Sequence, residues 1–110
     1  MKYIILCNDL GCVRNSIKKC DYVRSFKTEE EYKEWTNQLS TSETSFVKMI
    51  VSDTVKYFVL IDNILYITQP ITFCSLDTAV KYARTRCIRS YEVRDINTGE
   101  LLCHFQKHKL

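Results

Sequence analysis

The stretch FCSLDTAVKYARTRCIRSYEVRDINTGELLCHF, residues 73–105, decides the fold class, because a helix signal is followed at once by a hairpin signal. Ser75 is of the residue type that caps helix N-termini. The apolar residues that follow it fall on one helix face: Leu76, Ala79, Val80, Ala83 and Cys87. Two β-rich runs, 91–95 and 100–105, then flank a turn in which Gly99 supplies a positive φ. The stretch therefore predicts a helix followed by an antiparallel hairpin.

A second helix signal lies in the N-terminal half of the chain. Residues 28–31, Thr-Glu-Glu-Glu, form a capping box, and their three acids suit the positive end of a helix dipole. Tyr32, Trp35 and Leu39 follow at helical spacing and give this helix one apolar stripe. We expect the helix to end in the polar linker 40–42.

The remaining ordered segments read as strands rich in β-branched and aromatic residues. They cover residues 2–7, 21–26, 46–51, 55–61, 64–68 and 71–73. Ser52-Asp53-Thr54 predicts a hairpin that joins the third run to the fourth. Pro70 cannot donate a hydrogen bond, so it predicts an edge strand or a break at that point.

These elements predict one α+β domain over residues 1–110, built from an antiparallel sheet of five to seven strands with two helices packed on one face. Two finer arrangements are open. The strand and helix order over residues 21–95 is that of a ferredoxin-like fold. Alternatively, the chain contains a duplicated strand-helix-strand-strand unit. Phe26 and Phe73 each end a predicted strand, and a helix-capping residue, Thr28 or Ser75, follows two positions later.

Targeting and cysteine signals point to a cytoplasmic protein. The apolar run near Met1 is shorter than the stretch of a signal peptide, and no run is long enough to span a bilayer, so we expect no membrane partner. Reduced thiols are then the default for the six cysteines. Arg14, Lys18 and Lys19 flank Cys12 and Cys20 and could lower the pKa of their thiols. Whether these two thiols are reactive stays open.

Signatures of catalysis are missing from the sequence. It contains no glycine-rich phosphate loop and no Gly-x-Ser-x-Gly or His-Glu-x-x-His motif, so we expect a protein that is not an enzyme and takes no cofactor. A thiol- or zinc-dependent activity would draw on Cys7, Cys12, Cys20 and His104. Close-spaced ligand pairs such as Cys-x-x-Cys do not occur, which speaks against a metal.

Basic residues cluster in two segments and support a nucleic-acid-binding alternative. The residues that would contact phosphates are Arg14, Lys18, Lys19, Arg84, Arg86 and Arg89. The net charge of +3 is modest and does not require a polyanionic partner. The nucleic-acid hypothesis therefore depends on both segments sharing one face.

The favoured hypothesis is a small protein-binding module. The chain is short and rich in residues with AT-rich codons, which points to a phage or another mobile element, and such a protein would bind and inhibit or modulate a host protein in the host cytoplasm. Trp35, Tyr57 and Tyr66 are the aromatic candidates for the partner contact. A homodimer through an open sheet edge is a further expectation.

Overall fold

The computed structural model describes residues 1–7, 22–39 and 41–107. Along these residues the elements are β1 (Lys2–Cys7), β2 (Val23–Phe26), α1 (Glu29–Asn37), α2 (Thr41–Thr44), β3 (Val47–Ser52), β4 (Tyr57–Ile61), β5 (Thr72–Phe73), α3 (Leu76–Arg86), β6 (Ser90–Asp95) and β7 (Leu101–Gln106). Within this part of the chain, none of the helices is long and apolar enough to cross a membrane.

The strands form two antiparallel sheets. The first sheet has the order β2-β1-β3 and the second has the order β5-β4-β6-β7. Every neighbouring pair runs antiparallel. The α+β class is therefore confirmed, but the strands divide between two sheets where the sequence predicted one.

The two sheets pack face to face, and the helices lie on the outer faces. Alternate residues of β1 explain this arrangement, because successive side chains of a strand point to opposite sides. Ile4 and Leu6 join Phe58 and Leu60 in one buried cluster, which also takes in residues of α3. Ile5 instead joins a second buried cluster with Trp35 of α1. The resulting layers are α1, first sheet, second sheet and α3, with the main core between and around the sheets.

Three expectations about strand pairing are wrong. Runs 46–51 and 55–61 do not form a hairpin, because β3 pairs with β1 whereas β4 pairs with β5 and β6. Residues 53–56 carry the chain from one sheet to the other. Run 64–68 is not a strand, since only Ile64 forms an isolated bridge, to Ile61. The ferredoxin-like alternative is also wrong, because its four strands would have to share one sheet. Instead, β2 and β3 lie in the first sheet and β4 and β6 lie in the second.

The structure contains a repeated unit whose frame starts one strand earlier than the sequence suggested. In each sheet a central strand is flanked by the next two strands in sequence, and a helix connects those two flanking strands. The first unit is β1-β2-α1-β3, with the short helix α2 inserted before β3, and the second is β4-β5-α3-β6, to which β7 is added. The chain therefore repeats a strand-strand-helix-strand arrangement.

Matched residues and matched register support the repeat. Residues 2–7 read KYIILC and residues 56–61 read KYFVLI, so three of six positions are identical. Tyr3 pairs with Phe26 in the first sheet, and Tyr57 pairs with Phe73 in the second. The helix cap follows two residues after each Phe. This similarity was visible in the sequence, but it becomes significant only when the shared strand pairing is known.

Both predicted helix caps and the predicted C-terminal hairpin are confirmed. The Thr28 hydroxyl accepts a hydrogen bond from the Glu31 backbone amide, and the Ser75 hydroxyl accepts one from the Thr78 amide. Gly99 has a φ of +78° and closes the β6–β7 turn. A Cβ at this position would lie 3.0 Å from Cγ1 of Val23 in the other sheet, so the positive φ favours glycine and the sheet packing leaves little room for a larger residue.

Candidate partner-binding surface

A tight turn after β4 places one carboxylate beneath the loop that follows α3. Asp62 and Asn63 have φ values of 52° and 65°, which Asp and Asn tolerate better than other residues with side chains. The amides and carbonyls of Ile61 and Ile64 exchange hydrogen bonds across this turn. The hydrogen bonds between Ile61 and Ile64 therefore fix the backbone from which the Asp62 side chain projects.

The Asp62 carboxylate binds three successive backbone amides. Ile88 donates to both carboxylate oxygens at 3.1 Å, whereas Arg89 and Ser90 donate to Oδ1 at 2.6 and 3.0 Å. The Asp62 amide in turn donates to the Ser90 carbonyl at 2.8 Å. The hydrogen bonds from Arg89 and Ser90, and then that from Ile88, hold the pKa of Asp62 below its usual value. We call this arrangement the Asp62 latch.

The latch presents an isoleucine to solvent. Ile88 is 78% exposed, the highest exposure among the large apolar residues of the described chain. Ordinarily, a single exposed apolar residue needs no explanation. Here the backbone amide of that residue and those of the next two residues are fixed by a carboxylate from a different strand. The backbone that carries this side chain is therefore held in place before any partner arrives.

A depression beside Ile88 provides apolar walls. It has a volume of about 370 Å³ and is lined by Arg84, Cys87, Ile88, Tyr91 and Phe105, which we call the Ile88 pocket. The rings of Tyr91 and Phe105 stack with centroids 5.8 Å apart, and Phe105 is 46% exposed. Both rings also line a neighbouring depression of about 250 Å³ that includes Leu101 and His104. This second depression is more polar, since Asn63, Glu92 and Gln106 also line it.

Positive charge lies on the side of this pocket formed by the C-terminal end of α3. Arg84 and Arg86 lie in the last turn of α3, where cations interact favourably with the helix dipole, and Arg89 follows in the latched loop. The guanidinium of Arg86 lies 4.7 Å from the ring centroid of Tyr82. The pocket lining contains one cation and no acid. The three arginines that the sequence predicted as a basic group therefore lie together at one end of α3.

Other predicted site residues occupy different places. Arg14, Lys18 and Lys19 lie outside the described residues, so nothing links them to the α3 arginines. Trp35 is 7% exposed and packs against the first sheet, which leaves little ring surface for a partner. Tyr57 is half-buried against the main core, and Tyr66 is 37% exposed in the segment between β4 and β5, outside the Ile88 pocket.

The structure also bears on the cysteines and on metal binding. Cys7 is disulfide-bonded, so the prediction of reduced thiols is wrong at this position. Cys74, Cys87 and Cys103 are free. Cys12 and Cys20 lie outside the described residues. Across residues 1–7, 22–39 and 41–107, no group of three His, Cys, Asp or Glu side chains is placed to hold a metal ion.

Sequence reasoning missed the two central residues of this surface, Ile88 and Phe105. Phe105 was assigned to a strand, and the sequence does not show which strand faces remain uncovered. Ile88 carried a weak signal, since an apolar residue between Arg86 and Arg89 just after a helix has no helical face to join. Comparisons of the chain with known protein families, curated proteins and solved structures find no match.

Proposed function

We propose that the protein is a small non-enzymatic module that binds another protein through the Ile88 pocket. The observation that carries this proposal is the 78% exposure of an isoleucine whose backbone is fixed by the Asp62 latch. Binding is stronger when contact groups are already ordered, because less conformational entropy is lost on association. An apolar side chain on a fixed backbone, beside an exposed aromatic ring, has the composition of an interface anchor.

Charge indicates the chemistry of the partner. Arg84 lines the pocket, Arg86 and Arg89 are exposed nearby in the chain, and arginine is enriched in protein interfaces. A partner segment with one large apolar side chain and neighbouring Asp or Glu residues would fill the pocket and pair with these cations. The further proposal that the partner is a host protein, inhibited by a phage or mobile-element product, is supported by the AT-rich codon composition alone.

Peptide display tests this proposal directly. Random peptides are selected on the purified protein and, in parallel, on Ile88→Ser, which removes the apolar anchor while the backbone amide stays available to Asp62. We expect peptides with an apolar residue next to acidic residues to be enriched on the wild type and lost on the variant. Leu76→Ser is the matched control, because Leu76 is 39% exposed at the other end of the same helix.

The outcomes of the selection are decisive. Retained binding by Leu76→Ser together with loss by Ile88→Ser supports the proposal. Equal enrichment on wild type and Ile88→Ser would contradict the role of the pocket. Arg84→Gln should weaken acidic peptides and make their binding less dependent on salt. Enrichment of basic peptides would contradict the proposed chemistry of the partner.

Nucleic-acid binding is the second candidate, favoured by the three arginines at one end of α3 and the exposed Phe105 ring, on which a base could stack. Binding of a single-stranded oligonucleotide should then weaken steeply with salt. Neutralising Arg86 and Arg89 to Gln should reduce that slope, with Lys33→Gln as a control on the distant helix α1. A flat salt response would remove this candidate.

A further inference from the structure

The repeat exposes an asymmetry between the edges of the two sheets. β3 and β6 occupy equivalent places, since each follows the helix of its unit and pairs with the central strand. The outer edge of β6 is covered by β7. Along the described residues, no strand covers the outer edge of β3. The second unit therefore shows how such an edge is completed, and the described part of the first unit shows no equivalent strand.

Backbone hydrogen bonds identify the open groups of β3. The Cys7 amide donates to the Tyr22 carbonyl, so odd-numbered residues of β1 bond towards β2 and even-numbered ones bond towards β3. Ile4 lies opposite Ile50 in the β1–β3 pair. It follows that the amides and carbonyls of Val47, Met49 and Val51 point away from β1, towards the outer edge.

The second unit supports this assignment of direction. In β6 the Ser90 carbonyl accepts from Asp62, beside β4, whereas the Asp95 amide donates to Glu100 on the β7 side. The inward and outward backbone groups of β6 therefore alternate in the same way. The outward groups of β6 bond to β7, and the matching groups of β3 face outwards without a described strand to meet them.

Side-chain exposure follows the same asymmetry. Met49 is 48% exposed and Val51 is 47% exposed, although both belong to a strand whose Val47 and Ile50 are buried. Val93 of β6, which matches Met49, is fully buried. Val93 lies opposite Cys103 of β7. Val93 is also covered by α3, which packs over β6, whereas α1 packs over β1 and β2. An added strand would therefore cover the outer flank of Met49, as β7 flanks Val93.

We propose that a second copy of the chain fills this edge, with β3 pairing antiparallel to β3 about a two-fold axis at Met49. This register places Met49 opposite Met49 and Val47 opposite Val51, so each outward backbone group meets an outward group of the partner. On the other face Lys48 lies opposite Ile50, so like charges do not oppose each other. The strand is therefore complementary to itself.

The outer edge of β7 is less suited to the same pairing. The Lys107 amide donates to the Arg89 carbonyl, so the outward groups of β7 belong to Leu102, His104 and Gln106. A two-fold register centred on this set would place His104 opposite His104. A register irregularity between Val93 and Arg94 also distorts the pairing with β7, and irregular edges discourage strand addition. The β3 edge is the better site for a second copy.

A dimer formed in this way carries two Ile88 pockets, and its existence does not depend on what those pockets bind. One strand pair buries less surface than a standard stable interface, so monomer and dimer should exchange with concentration. Sedimentation velocity of the full chain over a concentration series measures this equilibrium. We expect the wild type to shift towards the dimer as concentration rises, and a wild type that remains monomeric throughout would overturn the proposal.

Charge variants at the two-fold axis test the register. Met49→Lys and Met49→Glu each place like charges opposite one another, so each variant alone should be monomeric, whereas an equimolar mixture should form a heterodimer. Met49 is half-exposed, so both variants should fold, and circular dichroism checks this. Leu102→Lys on the β7 edge is the control and should still dimerise. A dimer that persists in both Met49 variants, a monomeric mixture of folded variants, or loss of the dimer in Leu102→Lys would overturn the proposal.

Discussion

Replacing Asp62 by Asn isolates the contribution of the carboxylate charge to the latch. Asn tolerates the left-handed conformation at φ 52°, so the turn backbone is retained. The amide oxygen can still accept the bonds that Arg89 and Ser90 make to Oδ1. The variant loses the charge and the second oxygen, which accepts from Ile88. The latch should loosen at Ile88 first.

The magnitude follows from the number and kind of bonds lost. A hydrogen bond to a charged group contributes about 1.5–3 kcal/mol, and the half-exposed position of Asp62 reduces this value through solvent screening. We expect Asp62→Asn to lower the free energy of unfolding by about 1–2 kcal/mol at pH 7. A loss of 1 kcal/mol corresponds to a fall in Tm of about 4–8 °C in a domain of about this size.

The same variant has a defined pH dependence. The folded-state pKa of Asp62 is lowered, so its stabilisation is fully present above the unfolded value of about 3.9 and is lost as pH falls through the folded pKa. The difference in unfolding free energy between wild type and Asp62→Asn should therefore be constant near neutral pH. It should narrow below about pH 4 and close at still lower pH.

Urea unfolding at several pH values, with hydrogen exchange of the Ile88, Arg89 and Ser90 amides, measures both effects. Asp53→Asn is the control, since Asp53 is exposed and forms an ion pair with the N-terminal amine at 3.0 Å. This control should change stability by less than about 0.5 kcal/mol. Equal stability of wild type and Asp62→Asn at pH 7, with unchanged exchange at the three amides, would refute the latch.

Three further predictions concern the fold. Phe58→Ala removes a fully buried ring between the sheets and should cost about 3–5 kcal/mol in urea unfolding, and a cost below about 1 kcal/mol would contradict the packing of the two sheets. Gly99→Ala should lower the unfolding free energy by about 1–2 kcal/mol, because its φ is +78° and the new Cβ meets Val23; an unchanged Tm would argue against this turn. Thr28→Ala and Ser75→Ala should each lose about 1 kcal/mol through equivalent caps, and unequal losses in chemical denaturation would argue against that equivalence.

Local signals in the sequence predicted the elements well. The caps at Thr28 and Ser75 and the turn at Gly99 depend on neighbouring residues, and all three are present in the structure. The hairpin proposed across residues 52–54 failed because strand pairing is not local. The segment between its two strands carries the chain from the first sheet to the second. A short polar segment of this kind has the same composition whether it closes a hairpin or connects two sheets.

At the candidate site, too, local features were predictable from the sequence and contacts between distant residues were not. The arginines of α3 were identified from the sequence, since charge is a property of single residues. The exposure of Ile88 depends on a carboxylate 26 positions earlier in the chain, which only the folded structure brings beneath the loop. Trp35 was predicted to contact a partner because aromatic rings are common in interfaces. In the structure, its ring packs against Ile5 and Val47 of the first sheet.

Calorimetric titration of one enriched acidic-apolar peptide into wild type, Ile88→Ala and Leu76→Ala tests the central claim most directly. Burying an isoleucine side chain contributes about 1.5–3 kcal/mol, so Ile88→Ala should weaken the peptide by about 10- to 100-fold. Leu76→Ala should bind like the wild type. Unchanged affinity in Ile88→Ala, or equal losses in both variants, would contradict the claim that the Ile88 pocket is the partner-binding site.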